Sequence, residues 1–365
     1  MKHKKVVILN SRQGLRPIGN DPWIVNSHRA LMHAASRDCR LLTSTGMKSW
    51  EMVLFLASIT KANQTIYLPI EGGVNSDKFK NEIIRQFRLE AVLCEWVIMN
   101  NTADNNCDQI RDGGIIDDAD IIYPVSIRPG GNLEKLIETA RRRGKEINND
   151  FIVEYRNTAH RCRINISKEN INLKIDDLLD DYLIHWTKAT NSRWPGESYF
   201  EYYNSVLNSR SVYPRSGLHT LKRILTEQKI RPSVRHYRKG WPAVAFSSLA
   251  PGGAVGLMKW RARYREMTIE PYGIAIHKDY ADTIGLRKVF YGNPEMYEYL
   301  EDNDKPYFQS IGTKGHWTPE REYRHIGDID LSLVPSDRMA VIVFTPEELD
   351  LIRQIFDGHI HSLCK

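Results

Sequence analysis

Short β-branched runs alternate with amphipathic stretches through the first 150 residues. Val6–Leu9 predicts a strand that ends in Asn10-Ser11-Arg12, and Trp23–Ser36 predicts the helix that follows it. Leu41–Thr43 predicts a second strand, closing on Ser44-Thr45-Gly46. Ser49–Ala62 then reads as a helix with Val53, Leu54, Leu56 and Ala57 inward. Strand Thr65–Pro69, helix Ser76–Phe87, strands Ala91–Ile98 and Ile121–Val125, and helix Leu133–Arg143 complete the rhythm. Strands that alternate with helices predict an α/β unit, a Rossmann-like parallel sheet with helical crossovers.

The pattern changes in the second half, where strands dominate. The apolar run from Asp181 closes on His185-Trp186-Thr187, and Leu218–Gln228 is amphipathic. Ala243–Phe246, Lys259–Arg265, Tyr272–Ile276, Lys288–Tyr291, Tyr323–Ile326 and Ala340–Phe344 predict strands. A last helix is predicted at Pro346–Phe356, with Thr345 and Glu348 spaced as a capping box. Residues 151–184 are charged and irregular and read as a connection. Residues 1–150 and 185–365 are thus the two expected domains, the second of α+β class. A chain of 365 residues also exceeds the roughly 250–300 at which one core stops growing.

Composition narrows the classes. Hydrophobic residues make up 41% and charged residues 26%, an ordinary globular balance that excludes disordered and fibrous classes. No run of 18 apolar residues predicts a membrane span. The three lysines in Met1–Lys5 precede too short an apolar run for a signal peptide. Five scattered cysteines without a C-x-x-C spacing argue against a disulfide framework or a thiolate metal site, so a cytoplasmic setting without metal is expected. The net charge of +6 is shared evenly. Residues 1–150 hold 21 Lys/Arg against 18 Asp/Glu, and the rest hold 30 against 27. Such an excess is compatible with a polyanionic partner.

In parallel sheets, ligands gather beyond the carboxyl ends of the strands. Three loops are expected there, Asn10–Gly14, Ser44–Lys48 and Arg128–Asn132. They supply Ser11, Arg12, Ser44, Gly46, Arg128, Gly130 and Gly131 as candidate contacts for a nucleotide-like anion. Asn10-Ser11-Arg12 resembles the "GSR" opening of the DNA-processing protein A family, and Leu41–Pro69 resembles its strand, "SG" loop, helix and strand. Arg111-Asp112, Ala119-Asp120 and Ile121–Gly131 are similar to the ending of the lonely-guy phosphoribohydrolases. Together these resemble SLOG-type Rossmann domains, which bind nucleotides or nucleotide-derived signals. The phosphoribohydrolases continue PGG-x-G-T-x-x-E, whereas this chain reads Pro129-Gly130-Gly131-Asn132-Leu133-Glu134. The shortened loop favours binding or sensing over hydrolysis in this half.

In the second half, the order of His185-x-Thr187, Ile230-Arg231-x-Ser233, Phe246-Ser247 and Glu320-Arg321-Glu322-Tyr323-Arg324 resembles an ADP-ribosyltransferase-type domain. The likeness is to the DNA-targeting toxin branch and to domains associated with abortive phage infection. The resemblance implies NAD as cofactor, ADP-ribose transfer to a DNA base, and His185, Thr187, Ser247 and Glu322 (or Glu320) as the catalytic set. Physically, a carboxylate beside a developing oxocarbenium ion stabilises charge present only in the transition state. As a strand, 320–322 would place both carboxylates on one face. His185 and Glu322 are then expected to face one pocket, walled by Trp186, Trp317 and Tyr323. Lys259, Arg261, Arg263 and Arg265 would share one face of a strand and contact DNA phosphates, with Arg231, Arg235, Arg238 and Lys239 extending the patch. Two alternatives stand beside NAD-dependent transfer. One is an enzyme that processes a modified DNA base without NAD, such as a deazaguanine nitrile. The other is a non-catalytic nucleotide sensor in an antiviral complex.

Overall fold

The computed structural model describes residues 3–71, 75–101, 107–156, 161–233, 240–311 and 320–365. They form two units, one of Met1–Arg161 with Asn191–Pro214 and the other of Cys162–Thr190 with Arg215–Lys365.

The first unit alternates β1 (Lys5–Asn10), α1 (Pro22–Ser36), β2 (Arg40–Ser44), α2 (Lys48–Ile59), β3 (Gln64–Glu71), α3 (Ser76–Phe87), β4 (Cys94–Asn101), α4 (Cys107–Asp118), β5 (Ile121–Ser126), α5 (Asn132–Arg142) and β6 (Glu146–Ile147). The sheet runs β4-β3-β2-β1-β5-β6 with every neighbouring pair parallel. The chain therefore winds outward from β1 in one direction, then returns to β5 on its other side. This is a Rossmann-like parallel sheet with helical crossovers, and its switch point lies between β1 and β5. Val6, Val7, Ile8 and Leu9 are all buried, as a parallel strand covered on both faces requires. One cover is α4 and α5, through Ile115, Ile116, Leu133 and Ile137.

Three elements of this unit differ from the sequence reading. Ala91–Leu93 is a 3-10 turn, and the strand starts at Cys94. Helix α4 was not expected because its segment carries Gly113-Gly114 and four aspartates. The helix Tyr199–Asn208, in a stretch assigned from sequence to the second domain, belongs to the first unit. Its Ser198–Glu201 capping box starts it, and an aromatic seam holds it. Tyr199 stacks on Phe87 at 5.0 Å, Tyr203 on Phe55 at 6.1 Å, and the Tyr203 hydroxyl donates to Glu51 at 2.6 Å.

The second unit centres on a seven-stranded sheet in the order Arg287–Lys288, Glu322–Ile326, Ala243–Ser247, Tyr182–Trp186, Gly273–His277, Met339–Val343, His359–Ser362. All pairs are antiparallel except the last. Both faces are covered. Leu183, Val244, Phe246, Ile274 and Val341 lie in one core, and Ile184, Trp186, Ala275, Ala340 and Ile342 lie in the other. The final helix is shorter than expected, a 3-10 turn at Pro346–Glu348 followed by Leu349–Arg353, with the Thr345–Glu348 capping box formed.

Gly19 tests how the Tyr199–Asn208 helix is held. Its N–H donates to Ser209 O at 3.0 Å, and a Cβ there would lie 2.1 Å from Leu207 O, against backbone that cannot yield. Gly19→Ala should cost about 1–3 kcal/mol in urea unfolding. Gly113→Ala has open space around it in α4, and should stabilise by about 0.5–1 kcal/mol. Equal midpoints for the two variants would contradict this packing.

Candidate functional site

In the first unit the three loops expected at the ligand edge do meet there, since β2, β1 and β5 are neighbours. The Ser11 N–H donates to Ser126 O at 2.9 Å, and the Arg128 N–H donates to Ser11 Oγ at 2.9 Å, stitching the β1 and β5 loops together. Ser44 is buried and its hydroxyl donates to Tyr67 O at 2.7 Å, binding β2 to β3. Gly46 and Gly130 turn with φ of 87° and 71°. The Gly130 N–H donates to Glu134 Oε2 at 2.7 Å, so a carboxylate of the chain itself sits on this amide. Gly131 closes the turn, its N–H donating to Arg128 O at 3.1 Å. Arg12 and Arg128 are exposed.

Behind these loops stands a polar group that the sequence signalled through Arg111-Asp112. Buried Arg111 donates to Thr45 O at 3.3 Å and pairs with Asp112 at 2.9 Å and Asp108 at 3.1 Å, while Trp50 Nε1 donates to Asp112 at 3.2 Å. Burial pushes the Asp112 carboxyl up, against the pull of Arg111. Lys48 at the start of α2 donates to Leu15 O at 2.8 Å, to the Tyr202 hydroxyl at 3.0 Å and to Asn191 O. A separate cavity of about 730 Å³ opens between α5 and residues 149–153, bounded by Ile127, Glu134, Ile137 and Val153. None of the seven expected contact residues lines it.

In the second unit the expected catalytic set divides. His185 alternates with Ile184 and Trp186 and so faces the core of Leu183 and Phe246, its ring 5.5 Å from that of Phe246. Its Nδ1–H donates to Ala245 O at 2.8 Å, and burial lowers its pKa, so the imidazole is neutral and structural. Glu322 is in register with Ser247, which is in register with Ile184, so these residues occupy the other face. His185 and Glu322 therefore lie on opposite faces of one sheet, which corrects the expectation of a shared pocket. Thr187 is buried, and its hydroxyl reaches only the carbonyls of Gly217 and Tyr272, both at 3.2 Å. The set that the resemblance implies for NAD is not assembled. Tyr323 packs on the His185 side, while Trp317 lies outside the described residues.

What does assemble is a carboxylate pair around Arg324. Glu322 accepts from Arg324 Nε at 2.8 Å and Nη2 at 2.9 Å, both side chains being buried. Arg324 also donates to Pro306 O at 2.8 Å, Phe308 O at 3.2 Å and Gln309 Oε1 at 2.8 Å. Glu320 precedes the strand. Arg321 has a left-handed φ of 46°, so the expected alternation of 320 and 322 does not extend through it. The Ser247 hydroxyl donates to Glu320 O at 2.6 Å and fixes its backbone. No described residue donates a hydrogen bond to the Glu320 carboxyl. Burial, and then the Glu322 charge, push that carboxyl up to about 7, opposed by Arg324 and Arg261.

The segment Lys259–Arg265 is not the expected strand with one cationic face. Trp260–Arg261 pairs with Glu266–Met267 as a hairpin, and Arg265 turns with φ of 52°. Buried Met258 and Met267 root it in the core, while Arg263 and Arg265 stand exposed at the tip. Arg231 is held by Glu227, and Arg235, Arg238 and Lys239 lie outside the described residues.

No protein-family model and no curated protein matches the chain. Among solved structures, DNA processing protein A from Helicobacter pylori, described for its single-stranded DNA binding mode, is similar over 40% of this chain and 63% of its own. The identity is 10% and the TM-score 0.30. DNA processing protein A from Streptococcus pneumoniae is similar over 40% of this chain and 49% of its own, at 9% identity and TM-score 0.31. The Chlamydomonas rheinhardtii Moco carrier protein is similar over 40% and 74%, at 10% identity and TM-score 0.25. The chain thus spans less than two thirds of either DNA processing protein. Among the described residues, no cluster of three or more His, Cys, Asp or Glu is gathered for a metal, and no helix is long and apolar enough to cross a membrane.

The ion pair yields a stability test. Arg324→Ala leaves the Glu322 carboxylate buried without its guanidinium, and should cost about 3–5 kcal/mol. The double replacement Glu322→Leu with Arg324→Leu should cost far less than Arg324→Ala. Chemical denaturation of the three proteins checks this, and a double variant as unstable as the single would contradict it.

Proposed function

We propose that the second unit is an enzyme domain acting on a nucleic-acid base, with Glu320 as the acid–base residue. The observation that carries this reading is the carboxyl of Glu320, pushed up to about 7 beside the Glu322–Arg324 fork and under the influence of Arg261 from the cationic hairpin. An acid–base group works best when it titrates near the operating pH, so that both forms are populated. Two neighbouring carboxyls in unlike environments divide the labour. Glu322 is fixed by its guanidinium, and Glu320 is left to exchange a proton. Protonated Glu320 can give its proton to a leaving nitrogen or oxygen, and ionised Glu320 can take one from water.

A reaction on a modified or ordinary base that uses water fits these residues better than ADP-ribose transfer. The transfer reading relies on His185 and Thr187, whose polar atoms are bonded to backbone carbonyls. For the first unit the fitting role is binding. Arg12 and Arg128 are exposed beside the β1–β5 switch point, Arg12 3.7 Å from Asp108, while Ser11, Ser44 and Gly130 are hydrogen-bonded within the chain.

Glu320 gives a test that needs no substrate. Its folded value, about 7, exceeds the ordinary 4.5, so the folded state binds more protons between these limits. The stabilisation is complete below pH 4.5 and is lost as pH rises through 7. Thermal unfolding across this window should show a downward trend that Glu320→Gln flattens. If Glu320 acts as a general acid, turnover should also fall above about pH 7, and Glu320→Gln should reduce it roughly a hundredfold. Mass spectrometry of short DNA incubated with and without NAD measures turnover. Undiminished activity in Glu320→Gln sinks the reading.

A further inference from the structure

The cavity between α5 and residues 149–153 lies wholly within the first unit and stands apart from the chemistry proposed for the second. We infer that it is a binding site for a small amphipathic anion, a hydrocarbon chain that ends in a carboxylate. Its volume of about 730 Å³ lies within the roughly 300–1,000 Å³ of small-molecule sites. The wall opposite α5 is tied to the sheet at both ends. The Asn148 N–H donates to Ile122 O at 2.9 Å, and the Val153 N–H donates to Val125 O at 2.8 Å. Between them the Ile152 N–H closes a turn on Asn149 O at 3.2 Å. Backbone bonds therefore set this wall, and a ligand need not order it.

Floor and rim differ in chemistry. Pro124, Val125 and Ile137 are buried at the floor, with half-buried Ile127 and Val153 beside them. Ile152 lines the same space with 55% of its surface exposed, apolar area that a hydrocarbon would cover. None of these six side chains carries a polar atom. A nucleobase laid here would lose water from its ring edges without gaining side-chain partners, whereas a hydrocarbon loses nothing. The rim is charged. Helix α5 supplies Lys135, Arg141 and Arg142 against Glu134 and Glu138, and Asn149 across the gap is neutral. Glu138 is shared, 3.7 Å from Arg141 and 3.4 Å from Arg142, and Glu134 accepts from the Gly130 amide. Among the described residues no carboxylate pairs with Lys135. Three cations less two acids leave one positive charge, which a single carboxylate balances. A phosphate monoester would bring about two negative charges.

The test is titration calorimetry of the full chain with decanoate below its micellar concentration, with decanol and decylammonium as comparisons. Decanoate should bind saturably with a negative heat-capacity change, the mark of apolar burial, and more tightly than either comparison. Methyl NMR should place its largest shifts at Val125, Ile127, Ile137, Ile152 and Val153, and adenosine monophosphate should leave these methyl groups unmoved. Lys135→Gln should weaken decanoate roughly three- to fivefold and leave decanol unchanged. Ile152→Asp removes apolar wall and adds a like charge, and should weaken decanoate by roughly tenfold or more. Both positions are exposed, so both variants should keep the wild-type midpoint in urea. No saturable decanoate binding, largest shifts outside these five residues, or equal binding of decylammonium would overturn the site. Wild-type affinity in Ile152→Asp, or shifts of the same methyl groups with adenosine monophosphate, would do the same. If Ile152→Asp fails to fold, an unchanged decanoate affinity in Lys135→Gln still refutes the anionic head.

Discussion

A buried ion pair sets the character of the second unit. Glu322 and Arg324 stand two apart on one strand and face the same side, where either charge alone would be costly. The guanidinium meets that cost by serving Glu322 with two donors and spending others on Pro306, Phe308 and Gln309. This ties residues 306–309 to the sheet. It also leaves Glu320 with no guanidinium of its own, so burial and the Glu322 charge prevail there. One carboxyl becomes part of the architecture, and its neighbour is left with its pKa pushed up to about 7. The distinction rests on hydrogen-bond geometry, and the Glu-x-Glu spacing alone does not carry it.

The parallel sheet was legible in the sequence because burial on both faces demands continuous apolar runs. Val6–Leu9 and Ile121–Val125 are such runs. The two-residue strand Glu146–Ile147 is too short to leave a pattern. The second unit was less legible for a different reason. Its strands are antiparallel and covered on both sides, so apolar alternation does not tell which face a polar residue takes. His185 and Glu322 could be assigned to a face only through register, and register between strands 137 positions apart is set by long-range pairing. The hairpin at 260–267 was misread as one strand because its turn carries no glycine. Arg265 takes the left-handed position instead.

The return of residues 191–214 to the first unit shows the same limit. The Ser198–Glu201 capping box starts this helix, but nothing local says which core its aromatic face will join. That choice is made by partners far away in sequence. Phe55 and Phe87 offer rings to Tyr203 and Tyr199, and Glu51 accepts from the Tyr203 hydroxyl. Burial pushes the Tyr203 phenol far up, so it stays a donor throughout the physiological range. The chain therefore passes between the units more than once. Deleting 191–214 would remove part of the first unit's own packing.

At the edge of the first unit the chain satisfies its own polar groups. After Pro129-Gly130-Gly131 the chain continues Asn132-Leu133-Glu134, and Glu134 reaches back to the Gly130 amide. The Glu134 carboxylate sits at the positive end of α5. An incoming anion must displace it, and a tethered carboxylate competes at the high effective concentration that its linkage confers. Lys48 is similarly committed to Leu15, Tyr202 and Asn191. Arg12 and Arg128 are exposed at this edge, and Arg12 pairs with Asp108 at 3.7 Å. A ligand buried in the turn would find its amides already taken. The Pro129-Gly130-Gly131 turn is thus closed by a carboxylate of the chain itself, four residues on.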